Sequence, residues 1–280
     1  MLGLLSLTAE AAVDVIPQSA LIPSTTYYTD AIGGGIGAAV AWNGGVPRSA
    51  DPIRNDDAFR GPIPLGFSLS FFGSTYTEFF ANNNGNISFT GGISAFTPTG
   101  PQGASQPIIS PFFADVDTRN AASGLMHLRT DIPNEIIVTW DAVGYFGSHA
   151  DKLDSFQLIV RGPDFVIPPG EGSIGFWWKD MQWETGDASG GTGGFGGTPA
   201  AVGFGDGLSN GKVLEGSIEP LISSVVRNHH IWFDPTLTPV CGVPGTPPCG
   251  DGSVPGPATL ILLGAGLAGL GAIKRVYRRT

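Results

Sequence analysis

Asp115 and Asp117 are the two residues whose type and spacing first indicate a binding site. They lie one residue apart at the end of an apolar run, residues 108–113, so strand alternation would turn both carboxylates to one side. Carboxylate oxygens bind Ca²⁺, and the pair is therefore a candidate calcium site, although such sites usually need more than two donors. The alternative is that both side chains cap a turn, and the sequence favours this second role.

A polar segment, residues 147–154, carries His149, Asp151 and Asp154 between two strand-like runs. These residue types suit a metal or binding loop, but a solvated hairpin tip has the same composition and is the favoured interpretation. The histidine pair at residues 229–230 precedes an apolar run and is expected to flank a closing strand.

Three tryptophans could form a sugar-binding surface. Trp177 and Trp178 are adjacent, so in a strand they point to opposite faces, and Trp183 follows closely. One of the adjacent pair is expected in the core, and the other could be exposed to stack on a carbohydrate.

The sequence carries no catalytic signature and predicts no enzyme. A nucleophilic serine in a strained turn would need a G-x-S-x-G motif, which is absent. Two acidic residues could meet in space for glycoside hydrolysis, but nothing marks such a pair. The net charge of −10, from 24 acidic and 14 basic residues, repels phosphates and excludes a nucleic-acid partner.

Cys241 and Cys249 are the only cysteines, and a Pro/Gly-rich segment separates them. In an oxidising compartment such a pair predicts a local disulfide. A zinc site is disfavoured because no neighbouring histidine or further cysteine completes it.

The elements that must position these residues are predicted to be strands. The chain has 43 Gly and 23 Pro, yet its hydrophobic content is 41%. Residues 64–72 alternate apolar and small residues, and Asn84-Gly85 is a hairpin-type turn signal. Further strand-like runs lie at residues 108–113, 125–129, 135–140, 155–160 and 173–178. The predicted fold is mainly β, an antiparallel β-sandwich or barrel-like domain, followed by a Pro/Gly linker and one C-terminal transmembrane helix.

The central part of the chain resembles the nidogen-like extracellular (NIDO) domain. The resemblance covers roughly residues 58–220 and rests above all on Asn84-Gly-Asn-Ile-Ser-Phe89 followed by Pro111-Phe-Phe-Ala-Asp-Val-Asp-Thr118. It implies a β-rich module found in matrix and adhesion proteins, and neither an enzyme nor a known small ligand.

The C-terminal tail resembles the PEP-CTERM sorting signal of Gram-negative envelope proteins. An apolar span, residues 258–273, lies between a proline-containing motif and a basic end, and Gly256 occupies the family's glutamate position. The motif is Val254, Pro255, Gly256 and Pro257, and the membrane-stop residues are Lys274, Arg275, Arg278 and Arg279. The resemblance implies export through the inner membrane, transient anchoring there, processing by an exosortase-type enzyme, and a final place at the cell surface or outside the cell.

The N-terminal residues 1–11 are interpreted as part of a signal peptide, with cleavage after Ala11. The predicted organisation continues with a turn-rich segment at 12–57, the β domain at 58–235, a linker with the disulfide at 236–253, and the sorting tail at 254–280.

These features together predict an exported, non-catalytic protein of the cell surface or matrix that contributes to adhesion or to biofilm structure. The expected partners are the exosortase, extracellular polysaccharide or matrix and surface proteins. The alternative is a lectin-like carbohydrate-binding module, possibly Ca²⁺-dependent, and an extracellular hydrolase ranks third. No cofactor other than Ca²⁺ is expected.

Overall fold

The computed structural model describes residues 13–46, 49–101 and 104–240, which form mainly β-structure. The strands are β1 Val13–Ile16, β2 Ile22–Pro23, β3 Ala38–Ala39, β4 Gly44–Gly45, β5 Ala58–Phe71, β6 Ser74–Asn82, β7 Asn86–Ser88, β8 Pro107–Phe113, β9 Val116–Asp117, β10 Leu125–Arg129, β11 Glu135–Tyr145, β12 His149–Arg161, β13 Ile174–Asp180, β14 Ala201–Asp206, β15 Gly211–Leu214, β16 His229–Phe233 and β17 Pro239–Val240. The helices are α1 Tyr28–Ile32 and α2 Ile222–Val226, and single 3-10 turns lie at Gln18–Ala20 and Asp187–Ser189.

The strands form two sheets. Sheet A has the order β1-β15-β14-β8-β7-β6-β5-β4, and sheet B has the order β17-β16-β13-β12-β11-β10-β3, with β2 beside β16 and β9 beside β11. Different strands stand at the two edges of each sheet, so neither sheet closes within the described residues. The predicted sandwich is therefore confirmed, and the barrel-like alternative is wrong. The strands were predicted to be antiparallel, and one pairing departs from this because β1 runs parallel to β15.

The two sheets pack face to face through aromatic side chains. Phe176 of β13 stacks on Phe204 of β14 with ring centroids 5.1 Å apart, and Phe112 of β8 lies 5.5 Å from Phe156 of β12. All four rings are buried. Since each pair joins one sheet to the other, the hydrophobic core lies between the sheets, as in a β-sandwich.

Strand β5 shows why the local sequence folds this way. Its apolar residues alternate with exposed small or polar ones, and Leu65, Leu69 and Phe71 are buried. The predicted turn at Asn84-Gly85 joins β6 to β7, with Gly85 at a φ of 74°. Both predictions are confirmed, because each depends on contacts between residues close in sequence.

Strands β11 and β12 are longer than predicted. They continue past Trp140 through a bulge where Ala142 has a φ of 51°, and they pair as far as Tyr145 and His149. The segment 147–154, interpreted as a solvated tip, is therefore mostly strand. Asp154 at its end is fully buried.

The folded unit includes strands on both sides of the range 58–235. From the turn-rich N-terminal segment, β1 pairs with β15 and β3 pairs with β10. At the other end, β17 pairs with β16. The described residues all belong to one compact unit.

Several predictions concern residues outside the described ranges. They are the signal segment with Ala11, the disulfide between Cys241 and Cys249, most of the linker, and the sorting tail with its apolar span. Within the described ranges, no helix is long and apolar enough to cross a membrane.

Candidate functional site

Three buried carboxylates meet at one place in the sandwich. Asp56 and Asp57 lie just before β5, and Asp115 lies between β8 and β9. Each offers an oxygen within 4.8 Å of the others, and the three residues are 0%, 2% and 1% exposed. This triplet, the acidic cluster, is the candidate functional site.

Asp117 has partners of its own. It accepts hydrogen bonds from the Arg119 backbone and Nε, each at 2.9 Å, and from the Ser148 backbone N–H at 2.7 Å. Arg119 also reaches the acidic cluster, because its Nη2 lies 3.1 Å from Oδ2 of Asp56. The hydrogen bond to Asp117, ahead of the nearby charges, raises the pKa of the Arg119 guanidinium. Asp115 and Asp117 are the candidate calcium pair of the sequence, and the structure places them in neighbouring but different arrangements.

The asparagine-rich turn between β6 and β7 supports the acidic cluster. Asn84 donates a hydrogen bond of 2.9 Å from Nδ2 to Oδ1 of Asp57, and its Oδ1 accepts one of 3.0 Å from the Val116 backbone N–H. Asn82, Asn83 and Asn86 are buried beside it. This turn therefore has a structural role, since buried amides with paired hydrogen bonds fix one arrangement of the chain.

The acidic cluster brings together carboxylate oxygens that could hold a cation. Three carboxylates supply three oxygen donors, whereas Ca²⁺ takes six to eight, so carbonyl groups or water would have to supply the others. Sequence reasoning found Asp115 and missed its two partners. The run Asn55-Asp-Asp57 was the available signal, but nothing in it indicates which distant carboxylate it meets.

The three polar residues of segment 147–154 do not form one site. His149 stacks on Tyr145 at 4.7 Å, and Asp151 accepts a hydrogen bond of 2.9 Å from the Tyr145 hydroxyl. Asp154 is buried elsewhere and accepts hydrogen bonds from the backbone N–H groups of Gln182 and Trp183. Burial, partly offset by these two bonds, raises the pKa of Asp154 well above its usual range.

The tryptophans do not form an open sugar-binding surface. Trp178 and Trp183 are buried, and their indole N–H groups donate to the carbonyls of Pro111 and Val143. Trp177 is half-buried and stacks on His230 with centroids 4.1 Å apart. The prediction that one of the adjacent pair lies in the core is confirmed, but its partner is covered on one face.

The fold and the acidic cluster define a two-sheet β-sandwich module whose notable polar residues lie inside the structure. The model of the family described as NIDO related matches residues 41–238, and the chain belongs to that family. The resemblance of the central part of the chain to the NIDO domain is thereby confirmed, over a longer range than residues 58–220.

The curated relatives include alpha-tectorin from three animals. The chicken (Gallus gallus) protein is 29% identical over 215 residues, which are 66% of this chain and 10% of the relative. The mouse (Mus musculus) protein is 31% identical, and the human (Homo sapiens) protein 30%, each over 63% of this chain and 9% of the relative. The chain thus spans about a tenth of the length of these relatives. No solved structure matches it significantly.

Proposed function

We propose that this protein is a non-catalytic component of the cell surface or extracellular matrix that contributes to adhesion or to biofilm structure. The observation that supports this most directly is the position of its acidic and aromatic residues. Those that could act on a substrate or bind a sugar are buried among structural partners, as Asp154 and Trp183 are. Membership of the NIDO-related family supports the same proposal.

The charge of the chain is consistent with this role. Without the four basic residues of the tail, ten basic residues remain against 24 acidic ones, a net charge of −14. A strongly negative domain stays soluble and repels nucleic acids, and its contacts at a surface would be with polysaccharide or other proteins.

Targeting forms the second part of the proposal. An exosortase-type enzyme recognises Val254–Pro257 while the span 258–273 holds the precursor in the inner membrane of a Gram-negative cell. Mass spectrometry of the mature protein tests this. We expect chains that end near residue 257, and recovery of intact Arg278 and Arg279 on most molecules would contradict processing.

Replacement of the domain tests the adhesion role. Residues 13–240 should be exchanged for an unrelated β domain of similar size, with both ends of the chain retained. We expect weaker cell aggregation and weaker biofilm cohesion at equal surface amounts. Unchanged cohesion would contradict the proposal, and specific binding of the native protein to a glycan array would favour the carbohydrate-binding alternative.

A further inference from the structure

Strand β5 has an unpaired edge along its second half. On one side β5 pairs with β6 as far as Phe71, whereas on the other side β4 pairs only with Ala58 and Phe59. No other strand of the described ranges pairs with β5. Its later residues therefore present backbone groups that another strand could bind.

The first part of this edge is protected, and the last part is not. Pro62 and Pro64 remove two N–H groups, and a register shift between Pro64 and Leu69 bends the strand. Prolines and bulges are the usual devices that prevent edge-to-edge pairing. From Ser68 to Phe71 the edge carries neither a proline nor a charged side chain.

The hairpin geometry shows which backbone groups face outward. Phe72 and Gly73, with φ values of 46° and 77°, form the two-residue turn that pairs Phe71 with Ser74. Because the hydrogen bonds of an antiparallel ladder alternate, the N–H and C=O of Ser70 point away from β6.

An apolar cavity adjoins this outward-facing backbone. It measures about 320 Å³, and its lining includes residues 68–70 of β5, Ile167, Ile174 of β13 and Leu237, together with Arg161 at the end of β12. An open strand edge beside an apolar pocket is the arrangement that binds an added strand, since backbone hydrogen bonds hold the strand and the pocket holds one of its side chains.

The opposite edge of sheet A has the matching features. β1 pairs with β15 on one side and with no described strand on the other. Its Val13 and Val15 are 42% and 62% exposed, while Ile16 on the other face is buried. β1 has four residues, which is the length of the unprotected part of β5, residues 68–71. The one charged residue of β1 is Asp14, and its carboxylate lies 3.5 Å from Nζ of Lys212 in the same chain.

We infer that copies of this protein associate head to tail, with β1 of one copy adding to the edge of β5 in the next. Val15 of the added strand enters the apolar cavity. Since Val15 and the core residue Ile16 lie on opposite faces of β1, this insertion places the two sandwiches on opposite sides of the joined sheet. Because the contact joins two different surfaces, every bound copy keeps a free edge for the next one, and repeated addition builds open chains unless the rotation between copies closes a ring. The inference rests on the folded domain and not on the proposed function.

Sedimentation velocity on the purified full chain over a range of concentrations tests this association. We expect species that grow with concentration. Val15→Asp should raise the apparent dissociation constant by about tenfold or more, because a carboxylate would have to enter a largely apolar cavity whose one cation, Arg161, is already paired with Glu135 and Glu171. Ser70→Pro should do the same by removing the outward N–H. Leu208→Asp, at a residue 82% exposed in the turn between β14 and β15 and on neither of the two edges, is the matched control.

Mixing the two variants tests the direction of the contact. Val15→Asp retains an intact β5 edge and Ser70→Pro retains an intact β1, so an equimolar mixture should form dimers and nothing longer. If Ser70→Pro does not fold, Val15→Asp mixed with wild type should shorten the chains by ending them. Concentration-independent monomers of the wild type would overturn the inference. Slow hydrogen exchange of the Ser70 amide in dilute monomer would also overturn it, because another part of the same chain would then cover the edge.

Discussion

The Arg161 guanidinium donates a 2.7 Å hydrogen bond from Nε to Oε2 of Glu135, and both side chains are buried. Arg161 also contacts Glu171 at 2.5 Å and lies 4.3 Å from the ring of Trp232. Burial, partly offset by Arg161, raises the pKa of Glu135. The pair joins β11 to β12 at the end of sheet B, where an unpaired charge would be costly.

Arg161→Met should therefore lower the free energy of unfolding by about 3–5 kcal/mol, because it leaves the Glu135 carboxylate buried without its partner. The double variant Arg161→Met with Glu135→Leu should recover most of this loss. Urea unfolding of the single and double variants measures the coupling. Lys152→Met, which breaks the exposed ion pair with Asp151, should cost less than about 1 kcal/mol. If the effects of Arg161→Met and Glu135→Leu on the free energy of unfolding were simply additive, the two side chains would not be coupled as an ion pair.

Asp154 should make the protein less stable as pH rises. Its pKa is raised in the folded state, so the folded state holds the proton more tightly than the unfolded chain. Stability is therefore highest below the ordinary aspartate pKa of about 4 and falls as pH rises toward the folded pKa. Asp154→Asn should remove this slope while keeping an acceptor for Gln182 and Trp183. Unfolding free energies of both proteins between pH 3 and 8 give the difference, and parallel curves would contradict a raised pKa.

His230 should change the stability of the protein with pH in the opposite direction to Asp154. Burial, and then the neighbouring His229, lower its pKa to about 4. The unfolded chain binds this proton near pH 6.5, so stability is lost as pH falls from there to about 4. The chain has six tryptophans, and the pH-dependent part of their fluorescence should report this titration through Trp177, because a protonated imidazole stacked on its indole quenches it.

Two substitutions test whether the pH-dependent fluorescence comes from His230. His230→Phe should keep an aromatic ring against Trp177 and abolish the titration. His229→Gln should move the midpoint to higher pH, since it removes the second cause of the depressed pKa. A midpoint near 6.5 in the wild type would contradict burial of the imidazole.

The structure changes the donors of the candidate calcium site from Asp115 and Asp117 to the acidic cluster. If it binds Ca²⁺, a hundredfold excess over Kd should stabilise the wild type by about 2.7 kcal/mol. Asp115→Asn should lose this gain, because it removes one of the three carboxylates of the acidic cluster. Asp164→Asn, at an exposed residue, is the control. An equal melting temperature with Ca²⁺ and with a chelator would mean that the acidic cluster binds no Ca²⁺.

The strands could be predicted where the pattern is local. The alternation of Leu65, Leu69 and Phe71 needs only neighbouring residues, and so does the turn at Asn84-Gly85. The extension of β12 to His149 could not be predicted, because it depends on the bulge at Ala142 that keeps two strands paired beyond Trp140.

The candidate site could be predicted only in part from the sequence. Asp115 stands in a motif that marks it, but its meeting with Asp56 depends on the return of the chain through β5 to β8. Nothing in the residues before β5 indicates which later carboxylate Asp56 will contact. The tryptophans show the same limit, since alternation separated Trp177 from Trp178 but could not show that His230 covers the first.

The last strand has a mechanical consequence if, as we propose for the precursor, the protein is held at a membrane through its C-terminal residues. β17 is two residues long and pairs with β16 only through Trp232 and Phe233. Tension applied at Val240 reaches this short pairing before it reaches the sandwich. β17 should therefore detach first under load, which lengthens the tether by several residues while both sheets and their core remain folded.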